Sequence, residues 1–215
     1  MQAFWCLKQT DIFSEIPDEE LKQLLSKSSD ECFHSAETIY TPSDLQKKIF
    51  FVKSGEVTLF QTKGGKRVII DIVGPGGLFG AFDPDALTLD HFAQATPGTR
   101  ICGFITEDFL RILSAHPVAM LSTLKQLSRR ITDYEQALVV SHGEAKERVL
   151  QALKRYTRKT KPWRLLKTNA QCARLTHEKL AQLAGLNRVT VTRVIQGLVK
   201  DGVIEVDQQT KEICF

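Results

Sequence analysis

The segment from Leu175 to Leu198 constrains this chain more than any other. Thr176 stands where it can cap a helix, with Glu178 in the first turn to complement the helix dipole. Leu180, Ala181 and Leu183 supply a buried face, and Ala184 lets a second helix approach closely. Gly185 permits the positive φ that a tight turn needs. Asn187 then caps a second helix. Its inner face is Val191, Val194, Ile195 and Leu198, and its outer face offers Arg188, Val189, Thr192, Arg193 and Gln196. The pattern is a helix-turn-helix. Beyond it, Gly202 to Val206 and Glu212 to Phe215 flank Asp207-Gln208-Gln209-Thr210-Lys211, a hairpin of the kind called a wing.

Charge gives this segment a partner. The net charge of +4 over 215 residues hides a split. Residues 142–215 hold 15 Lys+Arg against 7 Asp+Glu, whereas residues 1–141 hold 14 against 18. A small, strongly basic region around such a motif points to nucleic acid. Arginines free in the first half of a helix suit the major groove, where guanidinium bonds guanine O6 and N7 bidentately. Arg188 and Arg193 are therefore the expected base readers. Thr190 and Thr176 are expected to hold phosphates, and Val189 to make only apolar contact, as with a thymine methyl.

Upstream the pattern changes. After a helical lead-in at Ile16 to Leu25, short apolar runs alternate with turn residues: Glu37 to Tyr40, Lys48 to Val52, Val57 to Phe60, Arg67 to Val73 and Thr99 to Ile105. Such runs predict a small barrel or sandwich over residues 1–105. Met120, Leu124, Leu127, Ile131, Tyr134 and Leu138 then fall at steps of 4, 3, 4, 3 and 4, a heptad seam that predicts a paired helix and a parallel homodimer. The opposite face carries Lys125, Arg129, Arg130, Asp133 and Glu135. Residues 106–141 are read as the dimerisation helix, with a hinge at Val139 to Gly143, and 142–215 as the basic domain, opening on a helix from Glu144 to Thr157.

Other classes are excluded by what the sequence lacks. No apolar run reaches the roughly 18 residues that span a bilayer, and Met1 to Lys8 does not read as a signal peptide, so no membrane partner is expected. Five scattered cysteines without a C-x-x-C motif predict no disulfide framework and a reducing, cytoplasmic setting, with Cys102 and Cys214 as core residues of apolar strands. No P-loop, H-E-x-x-H, G-x-S-x-G or paired zinc spacing occurs, and His116 and His142 have no companion nucleophile, so no catalytic residues are assigned and an enzyme is not expected.

The order of a double-stranded β-roll, a long dimerisation helix and a winged helix-turn-helix, an α+β arrangement, resembles the bacterial regulators typified by the cyclic AMP receptor protein and the fumarate–nitrate reduction regulator. The resemblance covers nearly the whole chain through Gly55-Glu56-Val57, Gly74-Pro75-Gly76-Gly77-Leu78-Phe79-Gly80, Ser128-Arg129-Arg130 and Leu180-Ala181 through Leu198. It implies a cyclic-nucleotide-binding-like domain and a homodimer on a two-fold-related, inverted-repeat DNA operator. It also implies control of transcription, usually activation through contact with RNA polymerase. The family's activators carry glutamate where Val189 stands.

The resemblance places an effector pocket at Leu78, Phe79, Gly80, Ala81, Asp90, His91 and Tyr134, and there the pattern departs from cyclic-nucleotide binders. Gly80-Ala81 lacks the carboxylate that takes the ribose hydroxyl, and Leu87 to Ala95 has no arginine for the phosphate. Asp90 would repel that phosphate, and Tyr134-Glu135 replaces a pair of small hydroxyl residues on the long helix. The expectation is regulation without cyclic AMP and without a cofactor. Four alternatives stay open: an unknown small-molecule effector, a thiol-based redox response, no effector at all with activity set by abundance, and a haem or metal held by Cys32 and His34, which would share a face on one strand. A further alternative is a sensory protein whose basic domain binds something other than DNA.

Overall fold

The computed structural model describes residues 2–85, 88–160, 172–207 and 212–214. They form two compact units, residues 1–61 with 71–130 and residues 62–70 with 131–215.

The first unit opens with two helices, α1 (Gln2–Lys8) and α2 (Asp18–Ser26). Three acids in the first turn of α2 complement its dipole, and Leu21 and Leu24 form its buried face. The strands follow as β1 (Ser29–Phe33), β2 (Thr38–Tyr40), β3 (Lys48–Ser54), β4 (Val57–Lys63), β5 (Lys66–Val73), β6 (Leu78–Gly80), β7 (Phe92–Ala95) and β8 (Thr99–Ile105). They make two four-stranded sheets, ordered β1-β8-β3-β6 and β2-β7-β4-β5. Gly80 sits at φ 106°, and a Cβ there would meet the Lys48 carbonyl at 2.5 Å, so only glycine lets β6 pair this closely with β3. One core gathers Phe13, Phe51, Phe104 and Phe109 under the helices. The other lies within the roll, where Phe50, Phe79 and Tyr40 stack.

The segment expected to be one helix is two, α3 (Thr106–Ala115) and α4 (Pro117–Val140). Proline disfavours the helical conformation of the residue before it, and His116 is extended at φ −124°, ψ 90°. The heptad seam lies wholly on α4. Met120, Leu124, Ile131 and Leu138 are exposed, and Leu127 and Tyr134 are half-buried. Two residues read as part of the opposite, charged face are corrected. Arg130 is half-buried in an ion pair and Asp133 is buried.

The second unit continues with α5 (Ala145–Thr160), β9 (Cys172–Arg174), α6 (His177–Ala184), α7 (Arg188–Lys200), β10 (Glu205–Val206) and β11 (Glu212–Cys214). Val149 and Leu153 of α5 are fully buried, as are Leu180 and Val191 of the two helices that follow. The three strands form one sheet, ordered β10-β11-β9. The expected hairpin is thus joined by a third strand. Of the anticipated wing, Gln208 to Lys211 and Phe215 lie outside the described residues, as does Leu87 of the effector segment.

Candidate functional site

The helix-turn-helix is capped as its sequence requires. Thr176 accepts a hydrogen bond from the Lys179 amide at 3.1 Å, and the Asn187 side chain accepts one from the Thr190 amide at 2.8 Å. Gly185 takes the left-handed conformation at φ 61°. A side chain that sequence reasoning missed locks this turn. Arg148 of α5 donates to the carbonyls of Ala184 at 3.0 Å and Gly185 at 2.8 Å, satisfying acceptors that the end of a helix leaves open.

The outer face of α7 is open. Arg188, Val189, Arg193 and Gln196 are exposed, Val189 to 69%. Together with Thr192 they line a shallow concavity of about 390 Å³. Neither arginine has a carboxylate partner among the described residues. Thr192 differs from the others, because its hydroxyl donates to the Arg188 carbonyl at 3.0 Å and pairs with His177 Nδ1 at 2.9 Å. With its own hydrogen committed to that carbonyl, Thr192 can only accept from the imidazole, so His177 carries its proton on Nδ1. His177 thereby braces α6 against α7, a contact whose only sequence signal is a histidine directly after the cap.

The effector region is filled from within. Asp71, the single charge in the apolar run Val68 to Val73, is 1% exposed, and its Oδ2 lies 3.0 Å from Arg130 Nε of α4. Arg130 also donates to the Leu78 carbonyl at 3.0 Å. One turn earlier on α4, Gln126 accepts from the Leu78 amide at 3.0 Å and donates to the Gly76 carbonyl at 2.9 Å. Glutamine and arginine four residues apart share a helix face. They tie α4 to the glycine-rich turn through three hydrogen bonds and a buried ion pair.

Of the expected pocket residues, Phe79 is fully buried in the aromatic stack, and Ala81 is buried with its carbonyl accepting from the Thr106 hydroxyl at 2.8 Å. Gly80 is half-buried, and Asp90 is exposed with its carbonyl accepting from Gln61 at 2.7 Å. His91 pairs through Nε2 with the Tyr40 hydroxyl at 2.8 Å. Burial pushes the His91 imidazole below its ordinary pKa, and the Arg130 charge pushes it the same way, against Asp90 and Asp71. The Tyr40 hydroxyl and His91 Nε2 thus share one hydrogen bond inside the roll. Tyr134, expected both in the seam and in the pocket, carries the Arg155 guanidinium over its ring at 5.1 Å, inside the second unit.

Two cysteine readings are corrected. Cys32 lies on β1, but His34 falls beyond the strand end, so the two do not share a face of one strand as expected. Cys214 is not a free core residue. It is bonded to Cys172, its direct partner across β9 and β11. Cys6, Cys32 and Cys102 are free, and burial raises the thiol pKa of Cys6 and of fully buried Cys102.

Comparison with known proteins agrees with this architecture. The cyclic nucleotide-binding domain model matches residues 31–116, and the Crp-like helix-turn-helix domain model matches residues 147–214. The chain is 29% identical over 210 residues to the cyclic AMP receptor protein of Thermus thermophilus, covering 96% of this chain and 94% of that protein. It is 23% identical to the transcriptional activator protein FnrL of Cereibacter sphaeroides, covering 94% and 82%. In fold it is similar to the c-di-GMP-responsive global regulator CLP of Xanthomonas campestris, with a TM-score of 0.71 at 16% identity, covering 92% and 98%. The class defined by roll, helix and capped reader is a transcription regulator with a helix-turn-helix DNA-binding domain. The chain belongs to the CRP/FNR family. Members of that family are transcription regulators, not enzymes. Among the described residues no helix is long and apolar enough to cross a membrane.

Proposed function

We propose that this protein is a homodimer that reads an inverted-repeat operator without cyclic AMP and activates transcription through RNA polymerase. In this reading residues 1–105 form the sensor-like domain, 106–141 the dimerisation segment and 142–215 the reader. The observation that carries it is the exposed face of α7, where two unpaired arginines flank apolar Val189 on a helix capped at its start. Arg188 and Arg193 read bases, Val189, Thr192 and Gln196 lie against the groove, and Thr190 and Thr176 meet phosphates. Met120, Leu124, Leu127, Ile131 and Leu138 meet their symmetry mates, and a leucine, isoleucine and methionine stripe exposed on one helix favours such pairing. Two-fold symmetry would set the recognition helices about 34 Å apart, one helical turn of DNA.

The name of the Thermus relative favours control by cyclic AMP. The residues favour independence, because Asp71 already supplies an anion to Arg130 from inside the chain, and neither Gly80-Ala81 nor the described part of the effector segment adds a further cation or a ribose carboxylate. Selection of binding sites from random DNA, with and without cyclic AMP, tests both points. The expected result is a palindromic site bound equally well in either condition, and a Val189→Glu variant should select a different base at one position of each half-site. Binding that requires the nucleotide would refute independence, and a non-palindromic site would refute the dimer. Transcription with purified polymerase from a promoter carrying the selected site should rise on adding the protein, and a fall would refute activation.

A further inference from the structure

We propose that Cys172 and Cys214 form a reversible redox site that controls how tightly the second unit grips DNA. The inference rests on the DNA-reading function of that unit. The two residues face each other across antiparallel strands and are bonded, although 42 residues separate them in sequence. The covalent loop they close contains α6, the Gly185 turn, α7 and β10, and so the whole helix-turn-helix. β9 passes through Leu175 directly into Thr176, the cap of α6, and β11 is the far strand of the wing region. Among the described residues three pairs join β11 to β9 and two join it to β10, with the Asp207 amide donating to the Glu212 carbonyl, so the disulfide adds a covalent tie to a sheet of short strands. Ile213 is buried between them in sequence order, but both cysteines are half-exposed and open to exchange.

A protein that works on chromosomal DNA meets a thiol-reducing medium, where disulfides are as a rule transient and redox-sensing. Exposed bonds are the exchangeable ones. The chemistry needs a low-molecular-weight disulfide as oxidant. The Cys172 thiolate attacks one of its sulfurs and expels a thiolate, giving a mixed disulfide. The Cys214 thiolate then attacks the Cys172 sulfur and expels the second thiolate. The cysteines give up two protons and two electrons, and one small disulfide leaves as two thiols. Oxidation removes sheet-opening motions on both flanks of the reader, so less ordering is left to occur on DNA. The oxidised form is the tight binder.

The test equilibrates the full-length protein in glutathione buffers of graded oxidised-to-reduced ratio. Free thiols are then alkylated, peptides are mapped, and operator affinity is read by mobility shift. The expected outcome is a Cys172–Cys214 peptide in oxidising buffer and affinity about tenfold higher than in reducing buffer, restored when a reduced sample is reoxidised. Cys214→Ser should bind like reduced protein in every buffer, whereas Cys32→Ser, at the exposed free thiol, should keep the response. Failure to find the linked peptide at any ratio overturns the proposal. So does equal affinity in both states, or tighter binding by the reduced form. Should Cys214→Ser misfold, the reversible wild-type response decides. If the linked peptide forms but neither state binds DNA, the reader itself is wrong and the grip proposal falls with it.

Discussion

The two units of this chain treat their arginines in opposite ways. In the first, Arg130 is drawn inward, paired with a carboxylate that is 1% exposed and bonded to a backbone carbonyl. In the second, Arg188 and Arg193 stand in solvent, and the polar partners of the unit are spent on fixing the backbone around them: Thr176, Asn187 and Arg148 each bond main-chain groups. An arginine satisfied from within is part of the architecture, because leaving it alone would strand a charge. An arginine held outward on a rigid helix is available to a ligand that brings its own acceptors. The difference locates DNA recognition in the second unit, which carries the helix-turn-helix.

The comparison can be broken most forcefully at Asp71. Asp71→Asn strips Arg130 of its counter-charge, and the first unit should lose about 3 kcal/mol, at the low end for a buried pair because Arg130 keeps 19% exposure. Chemical denaturation measures it, and a loss under about 1 kcal/mol would mean that the pair is solvated. Next in size, Leu124→Glu places a charge on the exposed stripe of α4. It should leave each protomer folded and weaken the dimer by roughly 2 kcal/mol or more per protomer, visible as monomers in sedimentation. Arg193→Ala should cost about 1–3 kcal/mol of operator binding and relax preference at a single base pair, whereas Lys→Ala changes elsewhere in the basic unit weaken all sequences alike. Asn187→Ala removes only a cap, about 1 kcal/mol of stability, and the melting temperature reads it.

The smallest effect sharpens the inward half of the contrast. The His91 pKa is lowered by burial in the folded protein, so the unfolded chain takes up the proton first as pH falls through about 6.5. Stability of the first unit should therefore be fully present above that pH and decline below it, until the folded imidazole also protonates. His91→Gln should flatten the profile between pH 7.5 and 5.5, and an unchanged slope would show that another group is responsible.

What was legible in the sequence was local. Caps three residues from their amides, a glycine in the left-handed turn between α6 and α7 and a run of 4,3 spacings all act within a turn or two, and the reader helices and the placing of the seam on α4 follow from them. The pairs Asp71–Arg130 and Cys172–Cys214 are set by sheet register and helix placement across 59 and 42 residues, which no local pattern encodes. Asp71 nonetheless left a trace, a lone acid in an apolar strand, and such a residue calls for a buried partner. The break before α4 was written in His116-Pro117 and masked by the regular seam downstream. The helix α1 is too short for its periodicity to register.

The stripe on α4 has a consequence for the cell as well as for the fold. A reader that must pair before it grips a two-fold site is governed by mass action: when protomers are scarce, the concentration of pairs rises with the square of their number. For the proposed dimer the dose of the protein itself becomes an input, and a twofold change in its synthesis would reach the operator as a change of about fourfold.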